Sequence, residues 1–144
     1  MDVNTWWTWV LTYEPSLTPI VITPTFPGII NDAYEESVSS LHDLRQYLTT
    51  YNYIVLVYRF ALHKLIVSSK NSSLPQLAAL YKSYGIEKYA GIIQSAGDGP
   101  SSATKLIPKG LQDADARSLL LWASPYGKEV EAVFEELKGV AIFS

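Results

Sequence analysis

The chain lacks several residue types and patterns, and each absence excludes a class of protein. It contains no cysteine, which excludes a disulfide scaffold, thiol catalysis and cysteine metal sites. Its net charge is only −3, which argues against a protein that binds nucleic-acid phosphates over its whole surface. The longest apolar run, Tyr53–Leu62, contains Arg59 and falls well short of the ~20 apolar residues of a membrane span.

The amino terminus also lacks the parts of a signal peptide. It has neither a basic first segment nor a small-residue cleavage site. We therefore expect a soluble protein that stays in the cell where it is made, with no membrane partner.

Aromatic residues are the unusual part of the composition. The chain has 144 residues, 48% of them hydrophobic, which suits a single domain that buries roughly 70% of its unfolded surface without metal or disulfide. Ten tyrosines and four tryptophans either fill that core or supply a face for a partner, where such residues are enriched. Composition leaves both interpretations open.

Residues 1–28 have the pattern of an extended segment. From Thr5 to Tyr13, aromatic and β-branched residues alternate, which predicts a strand. In that strand Trp6 lies opposite Trp7 and Trp9, so one sheet face cannot cover all three rings. They are covered either by the chain's own helices or by a partner, through strand addition or ring packing. Four prolines then limit the next stretch to an edge strand or an extended arm: Pro15, Pro19, Pro24 and Pro27.

The middle of the chain predicts helices. Asp32, with Glu35 three residues later, is typical of a capping box, and one apolar stripe follows it: Val38, Leu41, Leu44 and Leu48. After a weak break at residues 49–52, Tyr53–Ser69 is apolar on nearly every side, which predicts the buried centre of a small bundle. Arg59 and His63 lie one turn apart there and can share a polar seam.

A third, short helix is predicted between Ser73, as its cap, and Tyr84. Gly85 then occupies the left-handed position that commonly ends a helix. Its apolar stripe consists of Leu77, Leu80, Tyr81 and Tyr84.

The last third of the chain predicts projecting elements. Residues 91–108 resemble two short strands around Gly97–Pro100, and because Pro100 lacks the amide that closes a tight turn, we expect an open loop. Asp113 is expected to cap a fourth helix. Ser124, with Pro125 in the first helical position, is expected to cap a fifth that ends at Gly139 and turns four residues inward: Val130, Val133, Phe134 and Leu137. The apolar tail, residues 140–144, must pack on this subunit or on another.

No pattern in the chain indicates chemistry. His42 and His63 lie on different predicted segments, and neither has an acid at ligand spacing. The acidic clusters fall in first turns or on polar faces of helices, where the helix dipole favours them. Gly97–Gly99 lacks the lysine and hydroxyl of a phosphate loop. We therefore expect no catalytic residue, no metal site, no cofactor and no enzyme.

Several segments resemble the small head–tail connector proteins of tailed bacteriophages. They are Ile92–Asp98 with Ser101 and Ser102, the Leu120–Ala123 helix end, the Ser124–Gly127 junction, the closing Gly139–Phe143, and Ala61–Leu65 in the central helix. The resemblance covers about residues 53–69 and 91–144. The chain departs from the pattern in residues 1–28, which are extended and rich in tryptophan, and in residues 70–90, which add a helix.

The resemblance implies a mainly α fold and a role in assembly. The fold expected is a small helical bundle (residues 29–139) with an extended N-terminal strand region (1–28), a projecting hairpin or loop (91–108) and an apolar C-terminal tail (140–144). The function implied is that of a neck adaptor made in the host cytoplasm and placed in the virion. There it forms a homo-oligomeric, dodecameric ring on the portal protein, seals the DNA exit and offers a docking surface to a downstream neck or tail-completion protein. DNA passes without specific binding.

Nine residues are the candidate interface on this interpretation. They are Trp6, Trp7, Trp9, Asp98, Lys105, Tyr126, Val140, Ile142 and Phe143. The alternative is a small monomeric binding module, or a viral regulator, that uses the tryptophan-rich strand. An enzyme ranks last, because no pair of reactive groups has an informative spacing.

Overall fold

The protein is mainly helical, in agreement with the predicted fold class. A computed structural model describes residues 1–87 and 121–138. The chain forms two compact units, residues 1–81 (unit 1) and 82–144 (unit 2). Because compact units of this kind can belong to one domain or to two, the single domain stays a prediction.

The first helix, α1, spans Val3–Tyr13, so the strand predicted there is wrong. Asp2 caps it by accepting a hydrogen bond from Thr5 N at 2.8 Å, and this bond lowers the pKa of Asp2. Trp6, Trp7 and Val10 recur at helical spacing on the buried face. The opposite, exposed face carries Asn4, Thr5, Thr8 and Thr12. Burial of that apolar face overrides the strand preference of tryptophan and threonine.

Residues 14–27 form neither an edge strand nor an extended arm, contrary to prediction. A 3-10 helix at Pro15–Leu17 is followed by turns and bends. Leu17 and Ile20 are buried, and their backbone is tied by the bond from Ile20 N to Leu17 O at 3.1 Å. The segment is thus anchored to unit 1 by its apolar side chains.

Helix α2 spans Gly28–Leu41 and continues into a 3-10 helix, His42–Tyr47. The predicted capping box at Asp32 is wrong, because the helix begins one turn earlier, after Pro27. Its buried residues are Ile30, Ala33, Tyr34, Ser37 and Leu41. Of the predicted stripe only Leu41 is buried, and Val38, Leu44 and Leu48 are half-buried. Ser37 enters the core because its hydroxyl donates to Ala33 O at 2.7 Å.

Helix α3, Thr50–Val67, is the central helix of unit 1, as predicted, but it begins before Tyr53 and ends before Ser69, the predicted bounds. Thr49 caps it by accepting from Asn52 N at 3.2 Å. Residues on several sides are buried, among them Leu56, Val57, Leu62 and Ile66. Helix α2 packs along α3, and α1 packs on both. At the edge of this contact Lys64 Nζ lies 3.2 Å from Glu36 Oε2.

Helix α4 spans Pro75–Ser83 and buries Leu77, Leu80 and Tyr81 as predicted. It begins one residue later than a cap at Ser73 would place it. The turn before α4 is stabilised by Ser72, whose hydroxyl accepts a hydrogen bond from Leu74 N at 3.1 Å. Gly85 has φ 66°, which confirms the predicted left-handed stop.

In the second unit, helix α5 spans Pro125–Lys138. Ser124 Oγ accepts from Gly127 N at 3.0 Å, and Pro125 occupies the first helical position, so the predicted cap is confirmed. Val130 and Leu137 are buried, whereas Val133 and Phe134 are half-buried. The helix therefore has a buried apolar strip with a partly exposed apolar border.

Removal of this cap is expected to weaken α5 measurably. Ser124→Ala leaves the buried Gly127 N–H without its 3.0 Å acceptor, which should lower the free energy of unfolding by about 1 kcal/mol. Ser39→Ala, on the exposed side of α2, is the matched control and should change it by less than about 0.5 kcal/mol. Urea denaturation of both variants measures the difference, and equal midpoints would show that the cap contributes nothing.

Several predicted elements lie outside the described residues. They are the loop at 91–108, the helix after Asp113 and the tail at 140–144, together with the candidate residues Asp98, Lys105, Val140, Ile142 and Phe143.

Candidate functional site

The tryptophans of α1 belong to an aromatic cluster inside unit 1. Trp6 has no exposed surface, and its indole Nε1 donates to the backbone carbonyl of Tyr58 in α3 at 3.1 Å. The Trp6 ring centroid lies 5.6 Å from that of Tyr34 in α2. One side chain thus joins three helices through one hydrogen bond and its packing.

Trp7 and Trp9 extend the cluster in different directions. Trp7 is buried and meets Phe26 edge to face at 6.3 Å. Trp9 is half-buried between Tyr13 and Tyr58, with ring centroids 4.6 Å and 5.6 Å away. The chain's own helices cover Trp6 and Trp7, and strand addition does not fit a helical segment. Of the three predicted contact residues, only Trp9 retains a partly exposed ring.

Tyr126, the fourth described candidate, lies in the first turn of α5. Its ring meets that of Tyr84 edge to face, with centroids 6.4 Å apart and planes at 80°. Both rings are half-buried. With Val133 and Phe134, Tyr126 therefore contributes to the partly exposed apolar border of α5.

The two histidines have opposite environments. His42 is exposed, and His63 is 2% exposed in the middle of α3. Burial, with a smaller contribution from the charge of Lys64, lowers the pKa of His63 to about 4. His63 is therefore neutral at pH 7. In the described ranges, no three metal-ligating side chains converge on a common point.

Sequence reasoning missed the α2–α3 turn, residues 42–53. Tyr47 and Tyr51 expose 42% and 75% of their surface there. The guanidinium carbon of Arg45 lies 5.8 Å from the ring centroid of the buried Tyr53. An open depression of about 500 Å³ is lined by His42, Asp43, Arg45 and Gln46. The available signal was that Tyr47 and Tyr51 fall outside the apolar stripe of Leu44 and Leu48.

Three tyrosine hydroxyls lie in or near the core of unit 1. Burial raises the pKa of Tyr34 to about 12, with smaller contributions from Tyr58 and nearby acids. Burial also raises the pKa of Tyr53 and Tyr58. These groups stay protonated at any physiological pH, so they do not act as bases.

The described surface has two partly exposed aromatic regions, the α2–α3 turn and the border of α5. Among the helices in the described ranges, none combines the length and the hydrophobicity needed to cross a membrane. Comparison of the chain with protein-family models, with curated proteins and with solved structures gives no match.

Proposed function

We propose that this chain is a structural assembly protein, a head–tail connector of a tailed bacteriophage that acts as a homo-oligomeric ring on the portal. In this role it seals the DNA exit and presents a docking surface to the next neck or tail-completion protein. The chain performs no catalysis on this proposal, and its contacts carry its function.

The single observation that carries the proposal is the junction at Ser124–Gly127. This junction is part of the resemblance to the connector proteins, and it begins α5, which Ser124 caps as the residues themselves predict. Helix α5 has an apolar border, Val133 and Phe134, that its own unit covers only in part. A border of this kind suits a helix that packs against a neighbouring subunit.

The charge of α5 supports the same proposal. Its outer face exposes Glu129, Glu135 and Glu136 beside Lys128, and the whole chain is acidic. A negative surface repels the phosphates of DNA. A ring built from such subunits can let DNA pass without binding it.

The central helix also supports the proposal, because its packing gives the subunit the rigidity that a ring requires. Helix α3 matches the apolar helix of the resemblance and is buried between α1 and α2. A packed bundle of this kind holds its surface contacts at fixed positions, as a ring of identical subunits requires.

The test is the native mass of the chain purified with the products of its flanking genes. A stoichiometric, ring-sized complex that contains a large portal-like neighbour is the expected result. A lone species of 16.0 kDa, with none of the neighbours bound, would contradict the connector.

Removal of residues 140–144 should abolish that complex. The apolar tail has no charged residue, and we assign it to contacts between chains. In the same co-purification, the truncated chain is expected to elute alone, with the far-UV circular dichroism of the full chain. If the truncated chain still completes virions, the tail is not needed for assembly. Thr8→Ala, on the exposed face of α1, serves as the control and should assemble normally.

A second candidate function, a monomeric protein-binding module, is favoured by one observation. Tyr47 and Tyr51 are exposed in the turn that also exposes Arg45, and tyrosine and arginine are enriched where proteins bind each other. The α2–α3 turn replaces the tryptophan-rich segment as the contact in this candidate, because Trp6 and Trp7 are buried.

A further inference from the structure

Helix α1 is attached to the rest of unit 1 by packing and not by charge. Residues 3–13 contain no charged side chain. The attachment comes from the burial of Trp6 and Trp7 and from the bond between Trp6 Nε1 and Tyr58 O at 3.1 Å. The surface that receives Trp6 belongs to α2 and α3, which supply Tyr34 and Tyr58. That surface fits the α1 of another copy equally well, because both copies have the same residues.

The segment that joins α1 to α2 contains a hinge, residues 21–25. The residues before it are held by backbone hydrogen bonds, among them Ile20 N to Leu17 O at 3.1 Å, and their 3-10 helix packs against α1. Within the part of the chain that the structure describes, residues 21–25 form no backbone hydrogen bond. All of them except Ile22 are exposed. The hinge can therefore change direction without the loss of a backbone hydrogen bond.

Val21, in this hinge, is an apolar side chain that is largely exposed. It exposes 72% of its surface, although valine is among the residues most often buried. When two copies exchange α1, their two hinges run side by side between the same two subunits. Each Val21 is then covered by the other hinge, which adds apolar burial that the single chain lacks. The docking contacts of α1 are the same in both arrangements, so this added burial favours the exchanged pair as the chain is concentrated.

We propose that α1 is an exchangeable arm through which copies of this chain bind one another. The α1 of one copy docks on the α2–α3 surface of a second copy, where Trp6 packs on Tyr34 and donates to the carbonyl oxygen of Tyr58. The hinge spans the two subunits. This contact is made between copies of the chain and needs neither a portal nor any other neighbour, so it goes beyond the connector role.

Distances between spin labels test the exchange in the full chain. The chain has no cysteine, so Thr8→Cys on the exposed face of α1 and Ser39→Cys on the exposed side of α2 each provide one labelling site. The double variant at low concentration gives the distance within one copy. A concentrated mixture of the two single variants, passed through mild urea and back, is expected to give the same distance between copies. If the mixture gives no distance, or a different one, the exchange does not occur.

The length of the hinge determines which copy α1 can reach. Deletion of residues 23–25 shortens the hinge by about 10 Å and is expected to keep α1 from its own α2–α3 surface. The native mass should then be at least twice 16.0 kDa, with the far-UV circular dichroism of the parent. Insertion of a glycine–serine segment at the same place should instead give a monomer. A deleted chain that stays monomeric, with the near-UV circular dichroism of a docked Trp6, would overturn the proposal.

Val21→Ser tests the contact between the two hinges. Sedimentation equilibrium should show association weakened severalfold, because the substitution removes apolar burial that only the exchanged pair gains. The melting temperature of the dilute chain should stay unchanged, since Val21 is 72% exposed there. Tyr51→Ser, at a side chain 75% exposed outside the hinge, is the matched control and should associate like the parent. Equal association of all three chains, or equal weakening by both substitutions, would rule out a contact between the hinges.

Discussion

Trp6→Ala is expected to lower the free energy of unfolding by about 4 kcal/mol, the largest effect of any change in α1. Trp6 is fully buried, packs on Tyr34 and donates to Tyr58 O. Its truncation therefore leaves a cavity where three helices meet. Urea denaturation followed by far-UV circular dichroism measures the change without depending on the fluorescence of the deleted ring.

Two matched variants show how much of this loss of stability comes from the indole hydrogen bond and how much from the burial of the ring. Trp6→Phe keeps most of the packing and loses the indole N–H, so it should cost about 1–2 kcal/mol. Trp9→Ala removes a half-buried ring and should cost roughly half as much as Trp6→Ala. If Trp6→Ala were as stable as the parent, α1 would not be docked on α3, and the tryptophans would again be candidates for partner contacts.

Acidification from pH 7 to pH 4 is expected to remove about 3 kcal/mol of stability through His63 alone, taking about 1.4 kcal/mol for each pKa unit. The pKa of His63 is about 4 in the folded chain and 6.5 in the unfolded chain. Between these values the unfolded chain binds a proton that the folded chain does not. Lowering the pH in this window therefore favours unfolding, and below about pH 4 this histidine adds no further loss.

The exposed histidine supplies the control for this effect. His63→Gln should flatten the fall in stability between pH 7 and pH 4, whereas His42→Gln should keep it, because His42 is exposed. Thermal melts of the three chains at matched ionic strength give the comparison. A parallel fall in the parent and in His63→Gln would show that other groups cause the acid sensitivity.

Elements with a long apolar pattern or a specific end signal could be predicted from the sequence. The long apolar run of helix α3 was sufficient to place its centre, whereas the break predicted at residues 49–52 lies largely inside the helix. Gly85 was identified as a helix end because glycine commonly takes the left-handed conformation there. Ser124 was identified as a helix cap because a hydroxyl residue followed by proline is typical of a helix start. In these places local preference and tertiary packing agree.

The N-terminal segment shows why the remainder could not be predicted. Trp, Thr, Val and Tyr favour strands, and their order in residues 5–13 fits an alternating pattern as well as a helical one. The helix is chosen by contacts distant in sequence, chiefly Trp6 with Tyr34 and Tyr58. Asp2 as a cap and polar residues at 5, 8 and 12 were the local signals that favoured a helix.

The α2–α3 turn escaped sequence reasoning for a different reason. Tyr47 and Tyr53 are the same residue type only six positions apart, yet one is exposed and the other is buried. A 3-10 helix has three residues per turn, so it rotates the chain out of the stripe that an α-helix would continue. The position of Arg45 over Tyr53 depends on that rotation.

The aromatic cluster of unit 1 makes the docking of α1 visible to fluorescence. Light absorbed by Tyr34 or Tyr58 can transfer to Trp6 or Trp9 while these rings are within 6 Å on separate helices. The ring centroids of Tyr13 and Trp9 are 4.6 Å apart. Both rings lie on α1, so they stay close to each other when α1 separates from α2 and α3. Tyrosine-sensitised tryptophan emission should therefore fall when α1 separates from its neighbours, and the Trp9–Tyr13 pair should supply the part that remains.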